Sequence, residues 1–175
     1  MEAAPLTLVK YDPQQVDILY QIIVVCGEDL FQRHGLTHWR PPYPIETMRK
    51  NAAELDVYGV HYGTSVVGTF TVGSTGWRHD SSHWLNPAHK PLYLNKLAVL
   101  PAWQGHGWGR WCMQQVERLA YERGCKAVRF DAITGNLPLH AFYRGLGYQE
   151  RAALTVKDAY GVPTDVLFFE KILRV

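Results

Sequence analysis

Residues 97–110 read LAVLPAWQGHGWGR, which combines an apolar strand pattern, a turn marked by proline, a glycine-rich loop and the beginning of a helix. Glycine at positions 105, 107 and 109 lets the backbone approach a ligand closely and point successive N–H groups at it. The helix that begins here adds the positive end of its dipole, which attracts anions. Together these features predict an anion site suited to a pyrophosphate.

Two other phosphate-binding loops do not fit this segment. A Walker loop ends in Gly-Lys-Ser/Thr, and no such ending is present. A dinucleotide-binding fingerprint requires a third glycine where this chain has Arg110. The structural alternative, a glycine-rich turn that only closes a strand–helix connection, stays open on glycine spacing alone.

Apolar periodicity predicts strands and helices on both sides of this segment. Asp12-Pro13-Gln14-Gln15 predicts a helix start with Asp12 as N-cap. Helices are expected from there to about residue 33 and at 45–54, 107–124 and 136–146, and strands at 7–11, 57–62, 66–72, 92–99, 127–132, 148–156 and 166–173. This order, without repeats or a linker, predicts one α/β domain over residues 1–175.

Composition excludes several classes of protein. The 175 residues are 47% hydrophobic and 19% charged, with a net charge of +2, so a disordered chain is excluded. The absence of a clustered basic stripe argues against a nucleic-acid partner. The N-terminus lacks the pattern of a secretory signal, and no apolar run is long enough to span a bilayer. Three widely spaced cysteines suggest small core residues of a reduced, cytoplasmic protein.

Two motifs, in the same order, resemble those of the GNAT superfamily of N-acetyltransferases. Gln104-x-x-Gly107-x-Gly109, preceded by Leu97-Ala98-Val99-x-Pro101, is similar to its acetyl-CoA motif. Asn136, followed by FYRGLGY at 142–148, is similar to its Asn…Tyr-x-x-x-Gly-aromatic segment. The close resemblance covers about residues 92–150. It implies a single-domain GNAT-like α/β fold, with a mixed central sheet whose central strands splay apart and are flanked by helices.

The resemblance also implies which residues contact acetyl-CoA, the co-substrate. The pantetheine arm would lie between the strand at 97–99 and the strand at 127–132, with an amide near Leu97 facing the thioester carbonyl. Asn136 would contact the arm and Tyr143 would lie near the sulfur. The cofactor-binding residues implied in this way are Leu97, Ala98, Val99, Gln104, Gly105, His106, Gly107, Trp108, Gly109, Arg110, Asn136 and Tyr143.

Direct transfer to an amine requires few side chains, because a thioester is already activated and proximity supplies much of the rate. Tyr143 is the predicted catalytic residue, as the group that protonates the departing thiolate. Its alternative role is that of a core aromatic on the helix face shared with Leu139 and Leu146.

The sequence does not identify a general base. The segment Tyr93-Leu94-Asn95-Lys96 lacks the Glu that some family members carry there. Five residues are candidates because they lie near the expected acceptor site, although each also fits a solvated surface position. They are Glu28, Asp29, His79, Asp80 and His83.

No metal is expected. The pairs His34/His38 and His79/His83 have helical ligand spacing, but both fall in loop-like sequence without a third ligand. Five aromatic residues in or beside the two variable connections fit either packing or the wall of an acceptor pocket. They are Phe31, Trp39, Tyr43, Trp77 and Trp84.

The sequence therefore predicts an acetyl-CoA-dependent N-acetyltransferase with a small-molecule amine acceptor and neither nucleic acid nor membrane as partner. Two alternatives stay open: a non-catalytic acyl-CoA-binding sensor, and transfer to a protein N-terminus or lysine. A homodimer is also compatible with the sequence.

Overall fold

The computed structural model describes residues 5–75 and 81–174. The elements are β1 (Leu6–Tyr11), α1 (Asp17–His34), α2 (Ile45–Glu54), β2 (Asp56–Tyr62), β3 (Ser65–Gly73), β4 (Pro91–Val99), α3 (Trp108–Glu122), β5 (Ala127–Ile133), α4 (Leu137–Gly145), β6 (Gln149–Lys157) and β7 (Pro163–Ile172), with 3₁₀ turns at Ser81–His83 and Pro101–Trp103. The order of helices and strands agrees with the sequence prediction.

The first helix begins later than the sequence predicts. Residues 13–16 form a separate turn, in which the Gln15 N–H donates to Asp12 O at 2.9 Å and the Asp12 N–H donates to Gln15 Oε1 at 3.1 Å. The Tyr20 N–H donates to Val16 O at 2.8 Å, which is a helical bond of the first turn of α1. The expected contact between Asp12 and Gln15 is thus present, but it closes a turn that precedes the helix.

The seven strands form one mixed sheet in the order β1-β2-β3-β4-β5-β7-β6. β1, β2 and β3 are antiparallel neighbours, whereas β4 and β5 run parallel. β7 pairs antiparallel with both β5 and β6. This sheet with its helices confirms the predicted mixed α/β fold.

The chain divides into two compact units, and the first comprises the described residues up to Val72 together with Lys96–Cys112. Its core joins the apolar faces of α1 and α2 to Val57 of β2 and Ala98 of β4. Gly68 of β3 permits a close approach, since a Cβ at this position would lie 2.8 Å from Ala98 O. The end of β4 is therefore packed tightly against the β-sheet of this unit.

The second unit comprises the described residues of Gly73–Asn95 and Met113–Val175. Phe130 and Phe169 stack on one face of its strands, with ring centroids 5.5 Å apart. Trp84 and Phe168 stack elsewhere in the unit, with centroids 5.3 Å apart and planes 8° from parallel. Trp84 precedes β4, so the long connection between β3 and β4 contributes to this core.

A buried ion pair anchors that connection. Arg129 Nε donates to Glu170 Oε1 at 2.8 Å, and the two side chains are only 3% and 2% exposed. Arg129 Nη2 also donates to Asn86 O at 2.8 Å, and the Leu85 N–H donates to Glu170 Oε2 at 2.8 Å. Because buried charges need partners, these bonds hold residues 85–86 to β5 and β7.

The cysteines Cys26, Cys112 and Cys125 are free and buried, which confirms their expected place in the core. Burial raises the pKa of the Cys26 and Cys112 thiols to about 12. Within residues 5–75 and 81–174, no helix has both the length and the apolar character needed to cross a bilayer.

Candidate functional site

In the second unit, the parallel pairing of β4 with β5 is short. The pairing joins residues 91–93 of β4 to residues 127–129 of β5. Its last pair is Tyr93 and Arg129. Both strands continue beyond this point, β4 to Val99 and β5 to Ile133. Within this unit, the strands therefore separate after Tyr93, as expected for splayed central strands.

A pocket lies where the pairing ends. Its empty volume is about 250 Å³ when the open solvent at its mouth is included, and all of its lining residues belong to the second unit. Its lining residues are Trp84, Tyr93, Leu94, Asn95, Phe130, Asp131 and Phe168. The aromatic residues of this lining are buried, whereas Asn95 and Asp131 are partly exposed.

Strand register assigns the lining residues to the two faces of the sheet. Tyr93 pairs with Arg129, and Asp131 pairs with Phe168. Since paired residues point to the same face and neighbours along a strand alternate, Tyr93, Asp131 and Phe168 share one face. Phe130 lies on the opposite face. Most of the lining aromatic side chains therefore lie on the face of the sheet that carries Asp131.

Tyr143 lies on the same face of the sheet as Phe130. It is 5% exposed, and its ring centroid is 4.4 Å from that of Phe130 and 5.4 Å from that of Phe169. Phe130 in turn lines the pocket. Tyr143, the predicted catalytic residue, therefore contacts a residue that lines the pocket at the end of the β4–β5 pairing.

Asn136 is the N-cap of α4. Its Oδ1 accepts a hydrogen bond from the Leu139 N–H at 3.2 Å, and the residue is 6% exposed. This bond satisfies one of the free donors at the helix start. Asn136 therefore fixes the beginning of the helix that carries Tyr143.

The glycine-rich loop belongs to the first unit and leads into α3. Gly105 and Gly107 have φ values of +80° and +81°, and nothing lies within 4 Å of a Cβ built on either. Both residues adopt the left-handed conformation that favours glycine. The loop therefore needs glycine for its backbone shape, and its surface is open beside both positions.

The backbone amides at the start of α3 are available to a ligand. In the described chain, no acceptor is found for the N–H groups of residues 107–110, whereas the Trp111 N–H donates to Gly107 O at 3.0 Å. Free donors at a helix N-terminus together with the helix dipole bind anions. These amides could hold an anion, and the pyrophosphate site stays a prediction.

Gln104 holds the loop to the end of β4. Its Nε2 donates to Val99 O at 2.8 Å, and its Oε1 accepts from Arg33 Nη2 at 2.9 Å. His106 Nδ1 donates to Gln104 O at 2.9 Å. Gln104 therefore holds the glycine-rich loop against the end of β4. The sequence did not predict this structural role.

An aromatic cluster flanks the loop. Trp103 and Trp108 stack with ring centroids 4.9 Å apart, and Tyr62 lies 5.0 Å from Trp108. All three side chains are partly exposed. Their packing stiffens both ends of the glycine-rich segment.

The residues predicted to accompany the pantetheine arm follow a kink in β4. Lys96 has a φ of +54°. No other non-glycine residue among those described has a positive φ. Such a conformation costs about 1–2 kcal/mol, and strain of this kind is often found at functional sites. Leu97, Ala98 and Val99 come directly after it in the first unit.

Two of the candidate bases form ion pairs in the first unit, whereas His83 packs against a ring that lines the pocket. Glu28 Oε2 pairs with Arg40 Nε at 2.9 Å, Asp29 pairs with Arg33, and the His83 ring packs edge-on against Phe168. His79 and Asp80 lie outside the described residues, as does Trp77. None of the described candidates lines the pocket.

The expected aromatic wall is only partly present. Tyr43 is 6% exposed in the core of the first unit, and Trp39 packs against the same core. The Phe31 ring is covered by the Arg40 guanidinium, 3.8 Å from its centroid. Of the described aromatic candidates, Trp84 alone lines the pocket. The sequence did not predict that Tyr93, Asp131 and Phe168 also line it.

The described part of the chain contains no group of three or more His, Cys, Asp or Glu residues that could hold a metal ion. His34 ends α1 and is exposed, while His38 lies in the following loop. Burial lowers the pKa of His38 to about 4. His38 is therefore neutral at physiological pH.

Comparisons with known proteins agree with this geometry. The chain is 31% identical over 71 residues to the N-acetyltransferase YesJ of Bacillus subtilis, a match that spans 40% of this chain and 39% of that protein. It is 26% identical over 108 residues to aminoglycoside N(6')-acetyltransferase type 1 of Stenotrophomonas maltophilia, which covers 61% of this chain and 69% of that one.

A solved structure shares the fold over almost the whole chain. The GNAT family acetyltransferase of Elizabethkingia anophelis with acetyl-CoA bound superposes with a TM-score of 0.65 at 12% identity, covering 96% of this chain and 98% of that one. The acetyltransferase (GNAT) family model matches residues 17–148, a range that contains the loop, the kinked strand, Asn136 and Tyr143. The chain belongs to the GNAT family of acetyltransferases.

Proposed function

We propose that this protein transfers the acetyl group of acetyl-CoA directly to the nitrogen of a small-molecule amine, with residues 1–175 acting as one acetyltransferase domain. The observation that carries the proposal is the row of free backbone amides at residues 107–110, at the start of α3. It lies within the region that matches the GNAT family. A pyrophosphate is the ligand that such a row of donors favours.

The proposed roles follow the two motifs. Gln104, Gly105, His106, Gly107, Trp108, Gly109 and Arg110 would hold the pyrophosphate, and Leu97, Ala98 and Val99 would run beside the pantetheine arm. The kink at Lys96 supports this assignment, because it changes the direction of the backbone just before Leu97. The Leu97 N–H would then stabilise the oxyanion that develops on the thioester carbonyl.

The reaction needs one net proton transfer. The amine nitrogen forms a bond to the carbonyl carbon, the C–S bond breaks, and the proton lost by nitrogen is balanced by the proton gained by sulfur. Tyr143 would supply that proton to the thiolate. Its place beside Phe130, which lines the pocket, supports this role.

A small-molecule acceptor is favoured by the shape and lining of the pocket. Its aromatic walls suit a compact ligand with an apolar part better than an extended polar chain. The match to an aminoglycoside acetyltransferase supports the same class of acceptor. The three free, buried cysteines are consistent with a reducing compartment such as the cytoplasm.

An acceptor screen tests the proposal. Purified protein is incubated with acetyl-CoA and single amines, and the release of CoA thiol is measured against reactions without amine. We expect thiol release to depend on the amine and the acetylated amine to appear in equal amount by mass spectrometry. CoA binding without amine-dependent thiol release from small amines, peptides or proteins would instead identify an acyl-CoA sensor.

A further inference from the structure

We propose that Tyr148 and Glu117 are positioning residues for Tyr143, which they hold in the orientation that lets its hydroxyl reach the sulfur of acetyl-CoA. This inference rests on the proposed function, since it requires Tyr143 to act as the proton donor. It goes further by assigning a role to a hydrogen-bonded cluster whose members do not line the pocket.

The end of α4 connects the two tyrosines through the backbone. The Gly147 N–H donates to Arg144 O at 2.9 Å, and the Tyr148 N–H donates to Tyr143 O at 3.1 Å. Gly147 has a φ of +86°. These two bonds around a left-handed glycine are a common helix ending. They fix Tyr148 beside the last turn of the helix that carries Tyr143.

The side chains of the two tyrosines share a third ring. The Phe130 centroid lies 4.4 Å from that of Tyr143 and 5.0 Å from that of Tyr148. The two tyrosine rings meet edge to face with their centroids 6.2 Å apart, and both residues are buried. Because protein interiors are closely packed, a displacement of the Tyr148 ring would also displace the Tyr143 ring.

Glu117 of α3 fixes the hydroxyl end of Tyr148. The Tyr148 hydroxyl donates to Glu117 Oε1 at 3.0 Å. Lys171 Nζ donates to Glu117 Oε1 at 2.9 Å and to Oε2 at 3.0 Å, and it lies 5.4 Å from the centroid of the Tyr148 ring. Hydrogen bonds to a charged group are stronger than those between neutral groups. The Glu117 carboxylate therefore anchors the Tyr148 ring, while Lys171 balances its charge.

Strand register places Lys171 on the same face of the sheet as Phe130. Val128 pairs with Lys171, and Phe130 pairs with Phe169. Since alternate residues of a strand share a face, Lys171 and Phe130 point to the same side. The ion pair of Lys171 with Glu117 and the cluster of rings thus lie on one face of the second unit.

The chemistry of Tyr148 suits a positioning role. Burial, the Glu117 carboxylate and the neighbouring Tyr143 all raise the pKa of Tyr148 above its ordinary value. The Tyr148 hydroxyl therefore stays protonated near neutral pH and continues to donate to Glu117. Its proton holds the ring in place, and the proton for the thiolate is left to Tyr143.

A double-mutant cycle on kcat tests the inference. Turnover is measured with acetyl-CoA and the amine that the acceptor screen identifies, and CoA affinity is measured by calorimetry. Tyr148→Phe keeps the ring and removes its bond to Glu117. We expect kcat to fall at least about fivefold, because a small displacement of a catalytic group lowers the rate strongly. CoA affinity should stay unchanged.

The same substitution in the Tyr143→Phe background completes the cycle. There, Tyr148→Phe should change kcat by less than about twofold, since no hydroxyl remains to be positioned and the two effects are coupled. A residue that only stabilises the fold would lower kcat by the same factor in both backgrounds.

Two variants of Glu117 test the other end of the hydrogen bond. Glu117→Leu removes the acceptor and should lower kcat as Tyr148→Phe does, whereas Glu117→Gln retains an acceptor oxygen and should keep most of the activity. Glu122→Leu is the matched control, because Glu122 lies on the same helix and pairs with Arg118 at 3.6 Å between exposed side chains. It should leave kcat unchanged. If Tyr148→Phe does not fold, the Glu117 variants in the two backgrounds decide.

The outcomes separate this inference from the proposed function. Equal falls in kcat in the wild-type and Tyr143→Phe backgrounds would overturn the inference and leave acetyl transfer and the role of Tyr143 intact. An unchanged kcat in Tyr148→Phe would overturn it as well. Absence of amine-dependent thiol release in the wild type, with CoA binding retained, would refute the proposed function and this inference together.

Discussion

The Tyr143 and Phe130 rings pack with their centroids 4.4 Å apart and their planes at 54°. This contact involves the ring of Tyr143, so its packing does not depend on the phenolic oxygen. Tyr143 and Phe130 lie on one face of the sheet, and Asp131 lies on the other. Packing and proton donation can therefore be tested separately in this residue.

Tyr143→Phe retains the ring and removes the hydroxyl. We expect kcat to fall by about 10²–10⁴-fold, the usual contribution of a positioned acid, with little change in acetyl-CoA affinity or Tm. Steady-state kinetics, calorimetry and thermal unfolding provide the three measurements. An unchanged kcat, where chemistry limits turnover, would show that Tyr143 is a core aromatic and that water protonates the thiolate.

Gly107→Ala tests the pyrophosphate loop. Its φ of +81° disfavours any side chain, and the added methyl group would face the open surface beside the free amides. We expect CoA affinity to fall at least about tenfold and stability to fall by about 1–2 kcal/mol. Calorimetric titration with CoA and urea unfolding measure the two effects.

Gly124→Ala is the matched control for that variant. Gly124 has a φ of +65° with nothing within 4 Å of a built Cβ, and it lies after α3 rather than before it. The loss of stability should be similar and CoA affinity unchanged. Equal CoA affinities in both variants and in the wild type would place the phosphate site elsewhere.

Glu170→Gln leaves the buried Arg129 charge without its carboxylate. We expect the free energy of unfolding to fall by about 3–5 kcal/mol, because breaking a buried ion pair leaves an uncompensated charge. The exposed pair Arg144–Glu150 provides the comparison: Glu150→Gln should cost less than about 1 kcal/mol. Urea denaturation of both variants checks this, and equal losses would contradict it.

His38 predicts a dependence of stability on acid pH. Burial lowers its pKa to about 4 from the ordinary value of 6.5, so the unfolded chain binds this proton at higher pH than the folded protein. Stability should therefore fall as the pH drops from about 6.5 to about 4. Between pH 7 and pH 5 the wild type should lose about 2 kcal/mol more than His38→Gln.

Urea unfolding at the two pH values measures this difference. Since both proteins share all other titrating groups, their common acid sensitivity cancels. Equal losses in the wild type and in His38→Gln would show that His38 titrates normally in the folded protein.

The sequence predicted the elements well because their signals are local. Gly35, with a φ of +67°, ends α1, as glycine commonly does. Asn136 caps α4, a role that its residue type favours although it was predicted only as a contact of the cofactor arm. The positive φ values of Gly105 and Gly107 follow equally from the glycine pattern. Such features depend on a few neighbouring residues and need no tertiary information.

The pocket could not be predicted in the same way, because it depends on strand register. Asp131 and Phe168 are 37 positions apart, and only the pairing of β5 with β7 brings them together. One local signal was present: Arg129 and Asp131 are charged residues at alternating positions in an otherwise apolar strand. Their spacing indicates a polar site on one face, without identifying its other members.

The two compact units are interleaved along the chain, since each contains two separate segments. A nascent chain leaving the ribosome must therefore extend to residue 112 before the first unit has all its strands and helices. The second unit then requires the remaining residues through β7. Fragments 1–95 and 96–175 would each carry parts of both units and a complete core of neither. Only association of the two fragments would bring together all the segments of each unit.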